Sequence, residues 1–216
     1  MKHILVSGLA TIDMIYYLDC LPKSGRKYQS KKGLITAGGN ASNASIAISR
    51  LGGLATLLTT IGQDSFGDLI LKELTEEKVK THAISRKPNL KTSYSSIIIN
   101  KKGDRQIINY RPTNLDFLNN KLIKEKEFHA YLTDGRLEKI SLFTLKEARK
   151  KNKPGVLDGE APVNPKAVKL ASHIAFSLQG LTSFSNTSSI IKGLKIVKNY
   201  TDNWVCVTKN HLKLFL

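Results

Sequence analysis

Short apolar runs rich in β-branched residues alternate along this chain with stretches whose apolar positions recur every three or four residues. That alternation predicts an α/β fold with a mainly parallel sheet. Residues 2–8 read as a first strand. Residues 41–51 place Ala44, Ile48 and Leu51 at helical spacing, with Ala41 and Ala47 completing the apolar face. Gly52-Gly53 then stop that helix where a left-handed residue is needed. Residues 54–61 form another strand, and Asp64 or Ser65 caps a helix in which Phe66, Leu69, Ile70 and Leu74 share one side. Later come strands at 129–133, 156–157, 174–176 and 204–208, with helices at 142–151 and 188–199.

Two stretches break the rhythm. One begins at residues 12–18 and runs to Ala37. The other is 92–110, where two β-rich segments flank Asn100-Lys101-Lys102-Gly103-Asp104 and read as a hairpin rather than a βαβ unit. The expected organisation is therefore an α/β core at 1–11, 38–91 and 111–216, with a β-lid at 12–37 and 92–110. Such a lid would cover a ligand at the carboxyl ends of the core strands.

Composition changes this picture little. At 216 residues with 41% hydrophobic and 24% charged residues, the chain suits a globular domain. No apolar run approaches the roughly 20 residues that cross a bilayer, and the N-terminus has too short an apolar stretch for a secretory signal. Cys20 and Cys206 lack disulfide-framework or metal-ligand spacing, so a cytoplasmic setting without a membrane is expected. The formal net charge of +17 raises a nucleic-acid partner as a reading. Against it, the lysines are scattered singly or in pairs, with no basic run of five and no interleaved aromatic residues.

The most informative stretch is Gly38-Gly39-Asn40-Ala41-Ser42-Asn43. Paired glycines before a helix let backbone amides approach a ligand, and the helix start adds unpaired N–H donors. Asn40 and Asn43 share one side of the first turn, and each amide offers a donor and an acceptor, as hydroxyl groups require. No Walker-type lysine accompanies the glycines. A turn followed by a helix cap is the plain alternative for this stretch alone.

Its neighbours add weight. Asp13 follows the first strand, then come Leu21-Pro22-Lys23-Ser24-Gly25, the Gly-Gly-Asn stretch, Arg50-Leu51-Gly52 and Gly62-Gln63-Asp64-Ser65-Phe66-Gly67. Lys91-Thr92-Ser93 enters the second β-rich stretch, Gly103-Asp104-Arg105 turns it, and Arg111-Pro112-Thr113-Asn114 leaves it. This succession resembles the ribokinase/PfkB family of carbohydrate kinases over residues 4 to about 208. The resemblance implies a ribokinase-like, Rossmann-type three-layer core with a small β-sheet lid. It also implies ATP-dependent phosphorylation of a sugar hydroxyl, with Mg²⁺ and ATP as cosubstrates, and a homodimer formed through the lid. It makes Asp13, Gly38, Gly39, Asn40 and Asn43 the sugar-binding set. Arg111 could meet a substrate phosphate or acidic group, or stand as a surface arginine at the lid hinge. Asp134, Asp158 and, more weakly, Glu160 end core strands on the nucleotide side, where each is equally a cap or loop residue.

Two departures follow. Where the family has Asn-x-x-Glu, this chain has Ser177-Leu178-Gln179-Gly180, which puts metal handling in doubt and leaves Ser177 as a weak nucleotide-side candidate. The family's Gly-Ala-Gly-Asp stretch, which supplies the anion hole and the catalytic base, is absent from the 216 residues. The expectation is a C-terminally shortened sugar kinase, with no catalytic base and doubtful activity of its own. The alternatives are a non-catalytic sugar-binding or regulatory protein, a nucleoside kinase, and a basic nucleic-acid-binding protein.

Overall fold

The computed structural model describes residues 1–123, 127–209 and 212–215. In chain order the elements are β1 (His3–Ser7), β2 (Thr11–Tyr17), β3 (Lys32–Gly38), α1 (Asn40–Arg50), β4 (Leu54–Gly62), α2 (Ser65–Glu76), β5 (Ile84–Lys87), β6 (Tyr94–Ile99) and β7 (Arg105–Tyr110). After a single 3-10 turn at Asn120–Leu122 come β8 (Ala130–Thr133), α3 (Glu138–Lys150), β9 (Gly155–Gly159), α4 (Pro165–Leu170), β10 (His173–Ser177), α5 (Leu178–Ser185), α6 (Ile190–Lys198), β11 (Trp204–Lys209) and β12 (Leu212–Phe215).

The larger sheet has the order β12-β11-β10-β9-β8-β1-β4-β5. Its pairings from β5 to β11 are parallel, and β12 runs antiparallel to β11. Parallel strands need crossovers, so helices cover the sheet and its strands read as continuous apolar runs. Val6, Leu57 and Ile61 pack beneath α1 and α2 with Ala41, Ile70 and Leu74. Neighbouring Leu5 and Leu58 point the other way, toward Tyr131 and Ile140. Farther along, Leu157, Ile174, Phe176 and Val207 pack with Val168, Leu181 and Val197 from α4, α5 and α6.

The second sheet has the order β3-β2-β6-β7. The hairpin read from the sequence is β6 and β7, with Tyr94 opposite Tyr110 and Gly103 turning at φ 84°. The stretch after residue 12 supplies β2 and β3, antiparallel to each other, while β2 runs parallel to β6.

Several boundaries differ from the sequence reading, each for a physical reason. The helix expected from residue 142 starts at Glu138, because Asp116 reaches across the chain to accept the backbone N–H groups of Lys139 (2.8 Å) and Ile140 (3.3 Å). That cap is supplied by a residue remote in sequence. Helix α4 was not foreseen, although Asn164 accepts from the Lys166 amide at 2.8 Å with Pro165 in the first turn. Strand β5 lacks any apolar run, and α5 follows β10 with no loop between them. Of the two caps offered for α2, Asp64 fills the position and accepts from the Gly67 amide at 2.9 Å.

Candidate functional site

The loops after β1, β8 and β9 meet the start of α1 at the carboxyl ends of the central strands, the usual ligand edge of an open α/β sheet. Buried Asp134 holds this junction together. Its Oδ2 accepts the backbone N–H of Leu9 (2.8 Å) and of Ala41 (3.2 Å), and its Oδ1 accepts that of Arg136 (2.9 Å). One carboxylate thus fixes three segments of chain. Burial raises its pKa above the ordinary carboxylate range, and the three amides offset this only in part. Asp134 acts here as a loop and helix-start clamp, one of the roles the sequence left open.

Asp13 lies in β2, in register with Thr36 on one side and Ser95 on the other. Its carboxylate rests against the backbone of Gly38, and a Cβ at that position would fall inside it. Gly39 has φ 93° and sits against the Leu9 carbonyl, so a side chain there is excluded both by conformation and by space. The paired glycines therefore allow the Asp13 carboxylate and the first turn of α1 to share one small region. Burial raises the Asp13 pKa, opposed by a hydrogen bond from Ser95. Asn109 Oδ1, 3.0 Å from the Ser95 hydroxyl, is a second acceptor for the same proton, and the three residues form a polar row across three strands of the second sheet.

Asn40 and Asn43 occupy the first turn of α1 and are exposed. Asn40 Nδ2 donates to Asp158 Oδ2 at 3.0 Å, linking this turn to the end of β9. The Asn43 backbone N–H donates to the Gly39 carbonyl at 2.9 Å, while its side-chain amide has no hydrogen-bond partner among the described residues. The Asp158 pKa is raised by burial and by Glu160, against the Asn40 hydrogen bond and the charge of Arg136. Glu160 itself accepts the Ala161 amide at 3.1 Å.

Ser177 caps α5, accepting the Gly180 amide at 2.9 Å. A Cβ on Gly180 would run into the Gly159 carbonyl, so the close packing of α5 on β9 requires glycine here. Among the described residues no three His, Cys, Asp or Glu side chains gather as a metal-binding group. Arg111 follows β7 and is exposed. Its pKa is lowered by burial and by the charge of Arg136, with Asp134 opposing.

The structure thus gathers Asp13, Gly38, Gly39 and Asn40 with Asp134 and Asp158, and places Ser177 at a separate helix start. Sequence reasoning missed Arg136, Ser95 and Asn109. Arg136 lies in the loop after β8, in Asp134-Gly135-Arg136, a signal that was available. Ser95 joins Asp13 only through the parallel pairing of β2 with β6, which no local pattern reveals.

Comparison with known proteins adds an independent line. The model of the pfkB family of carbohydrate kinases matches residues 1–209. A ribokinase of Dictyostelium discoideum is 29% identical over 169 residues, covering 76% of this chain and 53% of that protein, so the chain spans about half the length of this curated relative. A crystal structure assigned as a ribokinase from Agrobacterium tumefaciens superimposes with TM-score 0.84 at 28% identity, over 100% of this chain and 76% of the other. The Arabidopsis thaliana ribokinase solved with ribose and ATP shares the fold, with TM-score 0.78 at 15% identity over 100% of this chain and 77% of that one. With the mainly parallel sheet and the small second sheet shared with these solved structures and the family model spanning nearly the whole chain, this chain belongs to the pfkB family of carbohydrate kinases.

Proposed function

We propose that this chain is the acceptor-binding part of an ATP-dependent sugar kinase, in which Asp13, Gly38, Gly39, Asn40 and Asn43 hold the hydroxyl groups of a small sugar. The observation that carries this reading is the Asp13 carboxylate seated on Gly38 beside the first turn of α1. A carboxylate accepts two sugar O–H groups, while the Asn43 amide can donate to one hydroxyl and accept from another. Ribose bound to the Arabidopsis relative is consistent with this assignment.

The second sheet acts as a lid over the acceptor, formed by 12–37 and 92–110 against the core at 1–11, 38–91 and 111–216. A second copy of the chain packs against it as a homodimer. ATP approaches from the β9 side. Mg²⁺ bound with ATP supplies neutralisation of phosphate charge. Of this chain's residues, Asp158 near the end of β9 and Glu160 just beyond it fit that task as neighbouring acidic groups, whereas Ser177 is committed to its cap and Gly180 has no side chain. The reducing cytoplasm suits an exposed, unbridged Cys20.

The 216 residues hold no Gly-Ala-Gly-Asp stretch, so they bring the acceptor site without the family's base and anion hole. Calorimetric titration of the purified chain with ribose and fructose, alongside an ATP-coupled assay, tests this. Saturable sugar binding that Asp13→Ala abolishes, with no turnover, is the expected result. Turnover at an ordinary kinase rate would overturn the non-catalytic part, and absence of any sugar binding would overturn the whole.

A further inference from the structure

A cavity of about 300 Å³ lies between β1, the 3-10 turn, the start of β8 and the last turn of α3. None of Asp13, Gly38, Gly39, Asn40 or Asn43 lines it, and it sits toward the amino end of β8, whereas Asp134 follows the carboxyl end of that strand. Leu5, Ile123, Phe128 and Phe143 form its apolar wall, and Phe128 meets the Tyr131 ring edge-on at 5.6 Å between centroids. Tyr131 is the unusual member of the lining. It is only 3% exposed, yet its hydroxyl makes no hydrogen bond with any described residue. Ser42, Thr59, Ser85 and Ser93 also carry unpartnered hydroxyls, but those are sealed from solvent; that of Tyr131 is not, and opens into the cavity its side chain lines. Burial first, and then the charges of Glu147 and Glu127, raise the Tyr131 pKa, so the phenol stays protonated and able to donate. The other polar lining is equally uncommitted. The Glu147 carboxylate is held only by a loose 4.0 Å ion pair with Lys150, and the side chains of exposed Asn120 and Lys151 have no partner among the described residues.

A buried polar group without a partner is costly, and one that faces a cavity is satisfied by whatever enters it. An occupant of this space needs a flat face for the phenyl rings and an edge bearing both donors and acceptors. The phenol O–H and the lysines donate, the carboxylate accepts, and the asparagine amide does both. A nucleobase-type heterocycle has this combination, since its faces stack on aromatic rings and its edge alternates ring nitrogens, carbonyls and amino groups. The volume stands at the lower end of small-molecule sites, roughly 300–1,000 Å³, which suits one such ring system with a small substituent. We propose that this cavity is a second small-molecule site that takes a nucleobase or nucleoside, Tyr131 donating to its edge and Glu147 accepting from it. The site is separate from the acceptor residues and does not depend on their reading.

Calorimetric titration with adenine, cytosine and AMP, each with and without saturating ribose, provides the test, on the 216-residue chain and on Tyr131→Phe and Asn120→Trp. At least one of the three should bind saturably and be indifferent to ribose. Preference between the two bases identifies the edge that is read, and tighter binding of AMP than of adenine identifies a phosphate within reach of Lys150 and Lys151. Tyr131→Phe should weaken binding about 2- to 10-fold, the range of one hydrogen bond. It should not lower the melting temperature, because the hydroxyl it removes has no partner in the folded chain. Asn120→Trp, at an exposed position on the 3-10 turn, should close the cavity mouth and abolish binding. Binding of none of the three, binding that ribose displaces, or binding that either variant leaves unchanged overturns the proposal. The acceptor reading is tested by sugar titration alone and survives any of these results.

Discussion

At the scale of single residues, the placement of Asp13 couples binding to stability. Its pKa lies above the ordinary value because burial disfavours the charge, and the Ser95 hydroxyl compensates only in part. A folded-state pKa raised above the unfolded one means that the protonated group favours folding, and that this contribution is lost as pH rises through the folded value. At neutral pH the ionised carboxylate is therefore a cost, which the proposed acceptor role would account for, since hydroxyl groups donate best to a charged acceptor. Asp13→Asn should stabilise the fold at pH 7 by about 0.5–2 kcal/mol, the range of other single stabilising substitutions, and so raise the melting temperature, while weakening sugar binding. The stability gain should shrink as pH is lowered toward the range where Asp13 protonates. In the unsubstituted chain, sugar affinity should fall on acidification at a pH above that of an ordinary aspartate. Thermal scans and titrations across pH 4–8 would show both, and a variant that is less stable at pH 7 would contradict the account.

At the scale of elements, Asp134 joins the loop after β1, the start of α1 and the loop after β8, segments remote in sequence. Asp134→Ala leaves two buried amides and one part-buried amide without acceptors, each buried one costing about 1–3 kcal/mol, so a loss of roughly 2 kcal/mol or more is expected in chemical denaturation. Asp134→Asn retains one oxygen and should lose less, and both should weaken sugar binding although the side chain is sealed from solvent. Unchanged stability in the alanine variant would show that the clamp is dispensable. This residue also marks the limit of what the sequence could tell. The core strands other than β5 and β12, the Gly52 stop of α1 and the β6–β7 hairpin were legible because apolar period and turn chemistry are local. The glycine–asparagine stretch was legible because a resemblance ordered it among its neighbours. What could not be read depends on contacts between distant segments: the Asp116 cap that starts α3 early, the β2–β6 pairing that brings Ser95 to Asp13, and the three amides collected by Asp134. Helix α4 was a missed local signal, since Asn164-Pro165 is a standard helix start.

At the scale of the whole molecule, the unresolved tension is between a strongly basic surface and an uncovered apolar sheet. Strand β7 is exposed along all six residues, and both it and β3 are edges of the second sheet. Leu34 (45% exposed) and Ile107 (50%) lie on the face that carries Asp13, continuing the apolar row of Ile15 and Ile97. Ile35 (54%) and Ile108 (62%) lie on the opposite face. Exposed edges of this kind invite pairing with another chain unless charge or proline protects them, and burying one such side chain fully is worth about 1.5–3 kcal/mol. The net charge of +17 on each copy opposes self-association. The two terms respond oppositely to salt, because screening weakens the repulsion and leaves the apolar gain in place. A homodimer through this sheet should therefore tighten as salt is raised, whereas binding to nucleic acid would weaken steeply through counterion release. Sedimentation at low and moderate salt should show a concentration-dependent dimer that is favoured at the higher salt, and Ile107→Lys should leave it monomeric in both. A chain that remains monomeric throughout, or one that associates only with nucleic acid and releases it in salt, would assign the basic surface and not the second sheet as the partner-binding feature.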